Sequence, residues 1–408
     1  MGKRGNSEGS LYKSGEGWRG YVWCSRPDGT RYRKYVRGQT HEEARQNWVN
    51  LRDRASRGPV ASDVPKLAEF LAYWLNEIVE PNLAPKTFDK YEMFSRLHII
   101  PYLGGRRLDN LQVKDIRQWL NKLAVTCQCC AQGKDAARPE GKRRCCAIGK
   151  CCQEILSTRS RADARDTLRA ALSCAVDDET VARNPVKSVK TTRRRTAKPR
   201  RKRQAWTVDD ARWFLESAWH KAETLYAAFV LVLVLGLRRG EVLGLAWEHV
   251  DLDTAELYVG QQLQRVRGKL LLRGVKTEAS EAPLPLPVLC VTALRIRKKQ
   301  QDTDRARAGD TWVETGLVFT TKHGTPIDPQ NFNRSFDRCI TAARVPRITV
   351  HGTRKTCATL LAALDVHPRV AMHILRHSKI AVTMEIYTEA PSEATCEALR
   401  KLSEQLVA

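Results

Sequence analysis

The sequence predicts a multidomain, mainly α-helical protein: a small β-β-β-α domain first, an all-α domain second, and a mainly α domain with a small antiparallel sheet last. Three observations carry this. Aromatic or aliphatic residues alternate with polar ones over residues 10–37, the period of half-buried strands. From Lys66 the apolar residues Leu67, Phe70, Leu71, Trp74 and Leu75 recur at helical spacing. A continuous apolar run over 225–237 then reads as a buried helix, followed by a strand-rich patch over 256–286 and helices thereafter.

The first domain is expected over residues 1–58. Its strands contain Leu11-Tyr12, Trp18-Arg19-Gly20-Tyr21-Val22-Trp23 and Tyr32-Arg33-Lys34-Tyr35-Val36, with Asp28-Gly29 as a hairpin turn. Thr40 and Glu43 then form a capping box that opens a helix through Ala44, Trp48 and Leu51. Arg19, Arg31, Arg33 and Lys34 on the strands point this sheet toward nucleic acid rather than a mere folding cap.

The second domain is expected over residues 64–186, with further amphipathic segments over 87–97, 111–123 and 161–176, punctuated by Pro81, Pro101 and Gly104-Gly105. A basic linker over 187–205 follows, in which Arg193, Arg194, Arg195, Lys198, Arg200, Arg201, Lys202 and Arg203 repel one another and keep the chain extended. The last domain, 206–408, opens with a helix capped at Thr207-Val208-Asp209-Asp210. Asp251 and Asp253 mark a turn into the strand-rich patch, and Cys396, Leu399, Leu402 and Leu406 give the tail an amphipathic face that packs in cis or in trans.

Seventy Lys and Arg against 45 acidic residues give a formal charge of +25 over 408 residues. Such an excess creates a long-range field that favours a polyanion, of which nucleic acid is the commonest, with a membrane surface the weaker reading. The apolar run over 225–237 is too short to span a bilayer, and Met1-Gly2-Lys3-Arg4 leads into polar residues rather than a secretory signal. A cytoplasmic protein, nucleoid-associated when bound to DNA, is therefore expected. There the 13 cysteines read as thiols or metal ligands rather than disulfides. Seven of them, Cys127, Cys129, Cys130, Cys145, Cys146, Cys151 and Cys152, crowd an insertion over residues 127–152 among Lys134, Arg138, Lys142, Arg143 and Arg144. Thiolates at that density suit a structural zinc ion, although the paired Cys-Cys steps depart from CxxC knuckle spacing; a reduced loop is the alternative.

The chemistry lies toward the C-terminus, in Arg238, Lys276, His351, Arg354, His377 and Tyr387. Their contexts are Gly236-Leu237-Arg238-Arg239-Gly240-Glu241, Val275-Lys276-Thr277, His351-Gly352-Thr353-Arg354, Leu375-Arg376-His377-Ser378 and Glu385-Ile386-Tyr387-Thr388. A phosphodiester resists attack until its charge is neutralised and its leaving oxygen protonated; arginine forks suit the first need, and a tyrosine hydroxyl can attack. Arg238 and Arg354 are the clamp candidates. Adjacent positions on a helix diverge by about 100°, so only one of Arg238 and Arg239 can face the site. His351, three residues before Arg354, has a near-neutral pKa suited to proton transfer.

This ordered set resembles the tyrosine recombinases, in particular phage-type integrases such as those of actinobacterial phages and integrative elements. The resemblance implies the tyrosine recombinase fold, an arm-type DNA-binding domain at the N-terminus and a core-binding domain around Thr87-Phe88-Asp89-Lys90-Tyr91 and His98-Ile99-Ile100-Pro101-Tyr102-Leu103-Gly104. It further implies Lys276 as general acid on a β-hairpin, His377 as a hydrogen-bond donor to phosphate, and Tyr387 as the nucleophile that forms a 3′-phosphotyrosyl bond. The family usually has glycine immediately before that histidine, where this chain has Arg376. Bond energy kept in the covalent intermediate means that the chemistry requires neither ATP nor metal. The implied activity is a site-specific recombinase that integrates a phage or plasmid at double-stranded DNA attachment sites, as a homotetramer, with an accessory excision or DNA-bending factor. A non-catalytic sequence-specific DNA-binding protein, or a resolvase using the same chemistry, is the alternative.

Overall fold

The computed structural model describes residues 10–25, 29–56, 64–189, 204–274, 283–377 and 379–387. Asp28, Lys276, the run of linker charges from Arg193 to Arg203 and the tail beyond Tyr387 lie outside them. The chain divides into two compact units, Met1–Ala197 and Lys198–Ala408.

In the first unit, strands Ser10–Ser14, Gly17–Ser25 and Arg31–Gly38 form one antiparallel sheet, and helix His41–Ser56 packs on it through Ala44, Trp48 and Leu51. The helix starts where the capping box places it: Thr40 Oγ1 accepts from the Glu43 amide at 3.2 Å, while the Glu43 carboxylate accepts from the Gln39 amide at 2.8 Å. Gly38 lets strand and helix touch, since an added Cβ would fall 2.4 Å from the Ala44 nitrogen.

Side chains alternate across a strand, so Arg31, Arg33, Tyr35 and Arg37 all lie on the exposed face. Register places Arg19 directly opposite Arg37, and both are exposed. Like charges in such a pair weaken a sheet unless an anion separates them. Arg33 lies over the rings of Tyr21 and Trp23, 4.9 and 4.8 Å from their centroids. Lys34, expected among the nucleic-acid-facing cations, falls on the opposite face by the same alternation, and its Nζ lies 3.8 Å from Asp109.

The helical core that follows gathers Leu67, Leu71, Ile99, Ile116, Leu123 and Leu168, all fully buried. Its main helices are Leu67–Tyr73, Pro85–Phe94, Val113–Val125 and Thr158–Asp177. Pro81 and Pro101 punctuate the helices as the sequence suggests, the helical residues ending at Asn82 and Leu103, within two residues of each proline. Each is preceded by a wide turn, Trp74–Val79 and Ser95–Ile99, in which Glu80 N–H bonds Leu75 O and Ile100 N–H bonds Ser95 O. A proline ring clashes with the carbonyl four residues back, and widening the preceding turn relieves that clash while the helix continues.

The second unit is built around helix Tyr226–Val234, whose residues Ala227 to Leu233 are all buried. Phe214, Phe332 and Phe336 pack against its Phe229, with Trp206 against Phe214. Trp206 also fastens the start of the unit to helix Val350–Ala363: its amide donates to Thr356 Oγ1 at 3.1 Å. The strand-rich patch resolves into a three-stranded sheet, Val250–Asp251, Glu256–Leu257 and Leu284–Pro285, and a separate hairpin, Gln261–Val266 with Lys269–Gly274. Asp251 Oδ1 accepts from the Asp253 and Thr254 amides, forming the turn between the first two strands. Among the described residues, no helix is long and apolar enough to cross a membrane.

Candidate active site

The site begins where the buried helix stops. Gly236 takes φ +59, and a Cβ there would meet Leu375 Cδ2 at 2.7 Å, so only glycine turns the chain here without strain. The turn aims the Gly236 carbonyl at helix Val350–Ala363, where it accepts from Arg354 Nη1 at 2.7 Å. Two residues on, Arg238 is the extended N-cap of helix Arg239–Leu243. Its amide donates to Glu241 Oε2 at 2.9 Å and its guanidinium to Oε1 at 2.5 Å, yet the side chain remains 42% exposed. Arg239 diverges, donating instead to Asn333 Oδ1 at 3.0 Å.

Arg354 is buried, and its Nε donates to His377 Nε2 at 3.3 Å. Its Nη2 is enclosed with no hydrogen-bond partner among the described residues. Burial first, then the charges of Arg238 and Arg376, pulls this guanidinium down from 12.5 to about 9, still cationic at neutral pH. An unpartnered buried cationic donor is costly, and an anion accepting from it removes that cost.

His351 stands on the exposed first turn of the same helix, whose N-cap Thr349 accepts from the Gly352 amide. His351 adds to the positive surroundings of His377. Burial foremost, then Arg354 and Arg238, drives the His377 pKa down to about 4, leaving a neutral imidazole at pH 7. With Nε2 accepting from Arg354, the proton belongs on Nδ1, which lies 2.9 Å from Thr383 Oγ1. In this arrangement Nε2 is an acceptor, so the expected donation to phosphate requires Arg354 to release it.

Arg376 shows why glycine suits its position. It is the C-cap of helix Pro368–Leu375 and adopts the left-handed conformation, φ 49 and ψ 52, which costs a residue with a Cβ about 1–2 kcal/mol. Its side chain turns inward and is 0% exposed, with Nη2 donating to Glu241 Oε2 at 2.7 Å. Burial raises the Glu241 pKa, but Arg376 and Arg238 outweigh it and hold the carboxylate ionised, below its ordinary value. Glu241 thus joins the two arginines, and Arg376 positions Arg238 through it.

Tyr387 ends helix Ile380–Tyr387, and its hydroxyl donates to the Val366 carbonyl at 2.7 Å. Burial, then Cys357, raises its pKa. The structure thus forms two hydrogen-bonded groups, Arg238–Glu241–Arg376 and Arg354–His377–Thr383, within each other's electrostatic reach, with His351 beside them and Tyr387 on the helix that carries Thr383. Lys276 lies two residues past the described end of strand Lys269–Gly274. Sequence reasoning missed Gly236, Thr383 and the inward turn of Arg376; the only signal for the last was an arginine where glycine is usual.

Comparison with known proteins bears on the family and the fold. The phage integrase family matches residues 207–393, and the phage integrase N-terminal SAM-like domain matches residues 66–124. An integrase of Streptomyces ambofaciens is 28% identical over 368 residues, spanning 88% of this chain and 86% of its own. A XerC-like tyrosine recombinase of Caldanaerobacter subterraneus is 27% identical, spanning 84% and 83%. The integrase of Mycobacterium phage L5 is 25% identical, spanning 88% and 84%. Among solved structures, the Tn1549 transposon integrase in complex with transposon right end DNA superposes with TM-score 0.63 at 19% identity, covering 83% of this chain and 99% of that one. A lambda integrase dimer bound to a core site gives 0.51 at 18% identity, over 79% and 95%.

Proposed function

This chain belongs to the phage integrase family of tyrosine recombinases and is a site-specific recombinase; from that premise we propose that it integrates a mobile element into a host chromosome through a 3′-phosphotyrosyl bond to Tyr387. The observation that carries the reading is the enclosed, unpartnered Nη2 of Arg354 beside the half-exposed fork of Arg238. Two non-bridging phosphate oxygens satisfy these donors, and their charge is neutralised where it grows during attack.

The Tyr387 oxygen then forms a bond to phosphorus as the bond from phosphorus to the 5′ oxygen breaks. The tyrosine proton leaves through His351, and the departing 5′ oxygen receives one from Lys276, so the step begins and ends with one phosphodiester and one hydroxyl. Attack by a 5′-hydroxyl of another strand reverses it. The hydroxyl must first leave the Val366 carbonyl, and His377 takes its place against phosphate once Arg354 turns to the substrate. Exchange between two duplexes breaks four strands and needs four tyrosines, hence a homotetramer on double-stranded attachment sites, with an accessory factor setting direction. The setting is the cytoplasm, at the nucleoid.

A nicked duplex carrying the junction sequence of the element tests this, because the fragment beyond the scissile bond diffuses away and traps the intermediate. A DNA-linked peptide containing Tyr387 is expected. A duplex that is bound but never cleaved would leave a DNA-binding protein without catalysis.

The exposed sheet face of the N-terminal region supplies a second contact with DNA. Arg19→Ala and Arg37→Ala are each expected to weaken duplex binding irrespective of sequence, and to lower the slope of log affinity against log salt by about 1. Because the two cations face one another across the strands, folding stability should hold or rise. Binding titrations at several salt concentrations read this directly; an unchanged slope removes this face from the interface.

A further inference from the structure

The inserted segment between helices Val113–Val125 and Thr158–Asp177 has no role in the site above, and its interior is unusual. Its buried cluster consists of Cys127, Cys129 and Cys145, with Cys152 packed against them. Three small side chains supply too little apolar area to order a segment of this length, so something other than hydrophobic burial must hold it.

The sulfurs of Cys127, Cys130, Cys145 and Cys151 all lie within 4.8 Å of one another. Separations of 4.0 Å for Cys127–Cys145, 3.4 Å for Cys130–Cys145 and 4.0 Å for Cys130–Cys151 are far too long for disulfides. They match a metal tetrahedron: zinc–sulfur bonds of about 2.3 Å set sulfur–sulfur edges of about 3.8 Å. Within the fold, Cys127 and Cys130 form a CxxC pair that the adjacent Cys129 obscures in the sequence.

The surroundings are built to hold this geometry. Cys152 N–H donates to Cys145 Sγ at 3.3 Å and Gln153 N–H to Cys151 Sγ at 3.4 Å, amide–sulfur bonds that favour thiolates. Asp135 is 0% exposed, and its carboxylate accepts from the amides of Arg144, Cys145 and Ala147 and from Arg138 Nη1. That carboxylate fixes the turn presenting Cys145. The segment's ends are drawn together by Gln128 N–H on Glu154 O at 2.8 Å. Four thiolates around one zinc carry a net charge of −2, and the Arg138 guanidinium, which donates to Asp135 and to Cys129 Sγ, lies against the cluster.

We propose that this insertion is a structural zinc site with Cys127, Cys130, Cys145 and Cys151 as its four ligands. Cys129, whose sulfur accepts from Arg138 Nη1 at 3.5 Å, and Cys152, whose sulfur lies 3.7 Å from Cys127, support the ligands without completing the set. Cys146 is exposed and belongs neither to that set nor to the trio Cys129, Cys145 and Cys152, whose sulfurs also lie within 4.8 Å of one another, which corrects its inclusion among the expected ligands.

The test is metal content of the full-length protein, purified without chelators from zinc-supplemented cultures. One zinc per chain is expected in the wild type, in Cys146→Ser and in Cys152→Ser, with at least a tenfold loss in Cys130→Ser and Cys145→Ser. Should those variants fold poorly, cobalt(II) added to zinc-stripped wild-type protein gives the intense ligand-field bands of a tetrahedral tetrathiolate, and zinc abolishes them. A wild type without zinc, or without those bands, overturns the proposal. So does zinc kept in Cys145→Ser. Two ions per chain, or loss in Cys152→Ser but not in Cys151→Ser, overturns the ligand assignment.

Discussion

Tyr387→Phe is expected to bind duplex DNA as the wild type does and to form no covalent adduct with it. The change removes one oxygen, whose bond in the structure is to the partly buried Val366 carbonyl. Losing such a bond costs about 0.5–1.5 kcal/mol, too little to unfold the domain. The chemical consequence is far larger, because the variant lacks the proposed nucleophile: strand cleavage should fall by about 10⁴-fold or more, to background. Denaturing gels of trapped reactions on the nicked duplex read the result. An adduct that survives in the phenylalanine variant would assign the nucleophile elsewhere.

Glu241→Ala is expected to be the most destabilising single change in the catalytic region. The carboxylate is 3% exposed and pairs with both Arg238 and the wholly buried Arg376. Removing it strands Arg376 in the interior, and breaking a buried pair from one side costs about 3–5 kcal/mol. In a region of this size that corresponds to a fall in melting temperature on the order of 10 °C. The double variant Glu241→Ala/Arg376→Gly should recover much of the loss, since no orphaned cation remains and glycine adopts φ 49 without strain. Thermal unfolding of the three proteins decides. A double variant less stable than Glu241→Ala would mean that the pair does not govern stability here.

Much of this was legible in the sequence, for reasons that differ between elements. The N-terminal sheet and its helix follow from alternation and a capping box, both local signals that survive folding unchanged. The buried helix before Arg238 was legible because apolar residues surround it on every side. What was hidden depends on distant neighbours. Whether Arg376 points out or in is settled by Glu241, 135 residues away in sequence. The prolines at 81 and 101 stand next to helix ends, as their residue type suggests, but the sequence does not show the turn that widens ahead of each. Lys34 counted as a DNA-facing cation until strand register placed it beside Asp109. In the cysteine-rich segment the density of thiols was legible, and only folding brought the sulfurs of Cys127, Cys130, Cys145 and Cys151 within 4.8 Å of one another.

The guanidinium groups of Arg238 and Arg376 pair with one carboxylate and that of Arg354 lies within its field, leaving two positive charges unanswered among these four groups. These four groups are therefore an incomplete ionic cluster, folded against its own repulsion. Stability that a neutral interior would have retained is withheld until a phosphate backbone arrives, so substrate acts thermodynamically as a missing part of the fold. Evolution toward a more robust resting protein would fill this deficit with a second acid, and in doing so would close the site to DNA.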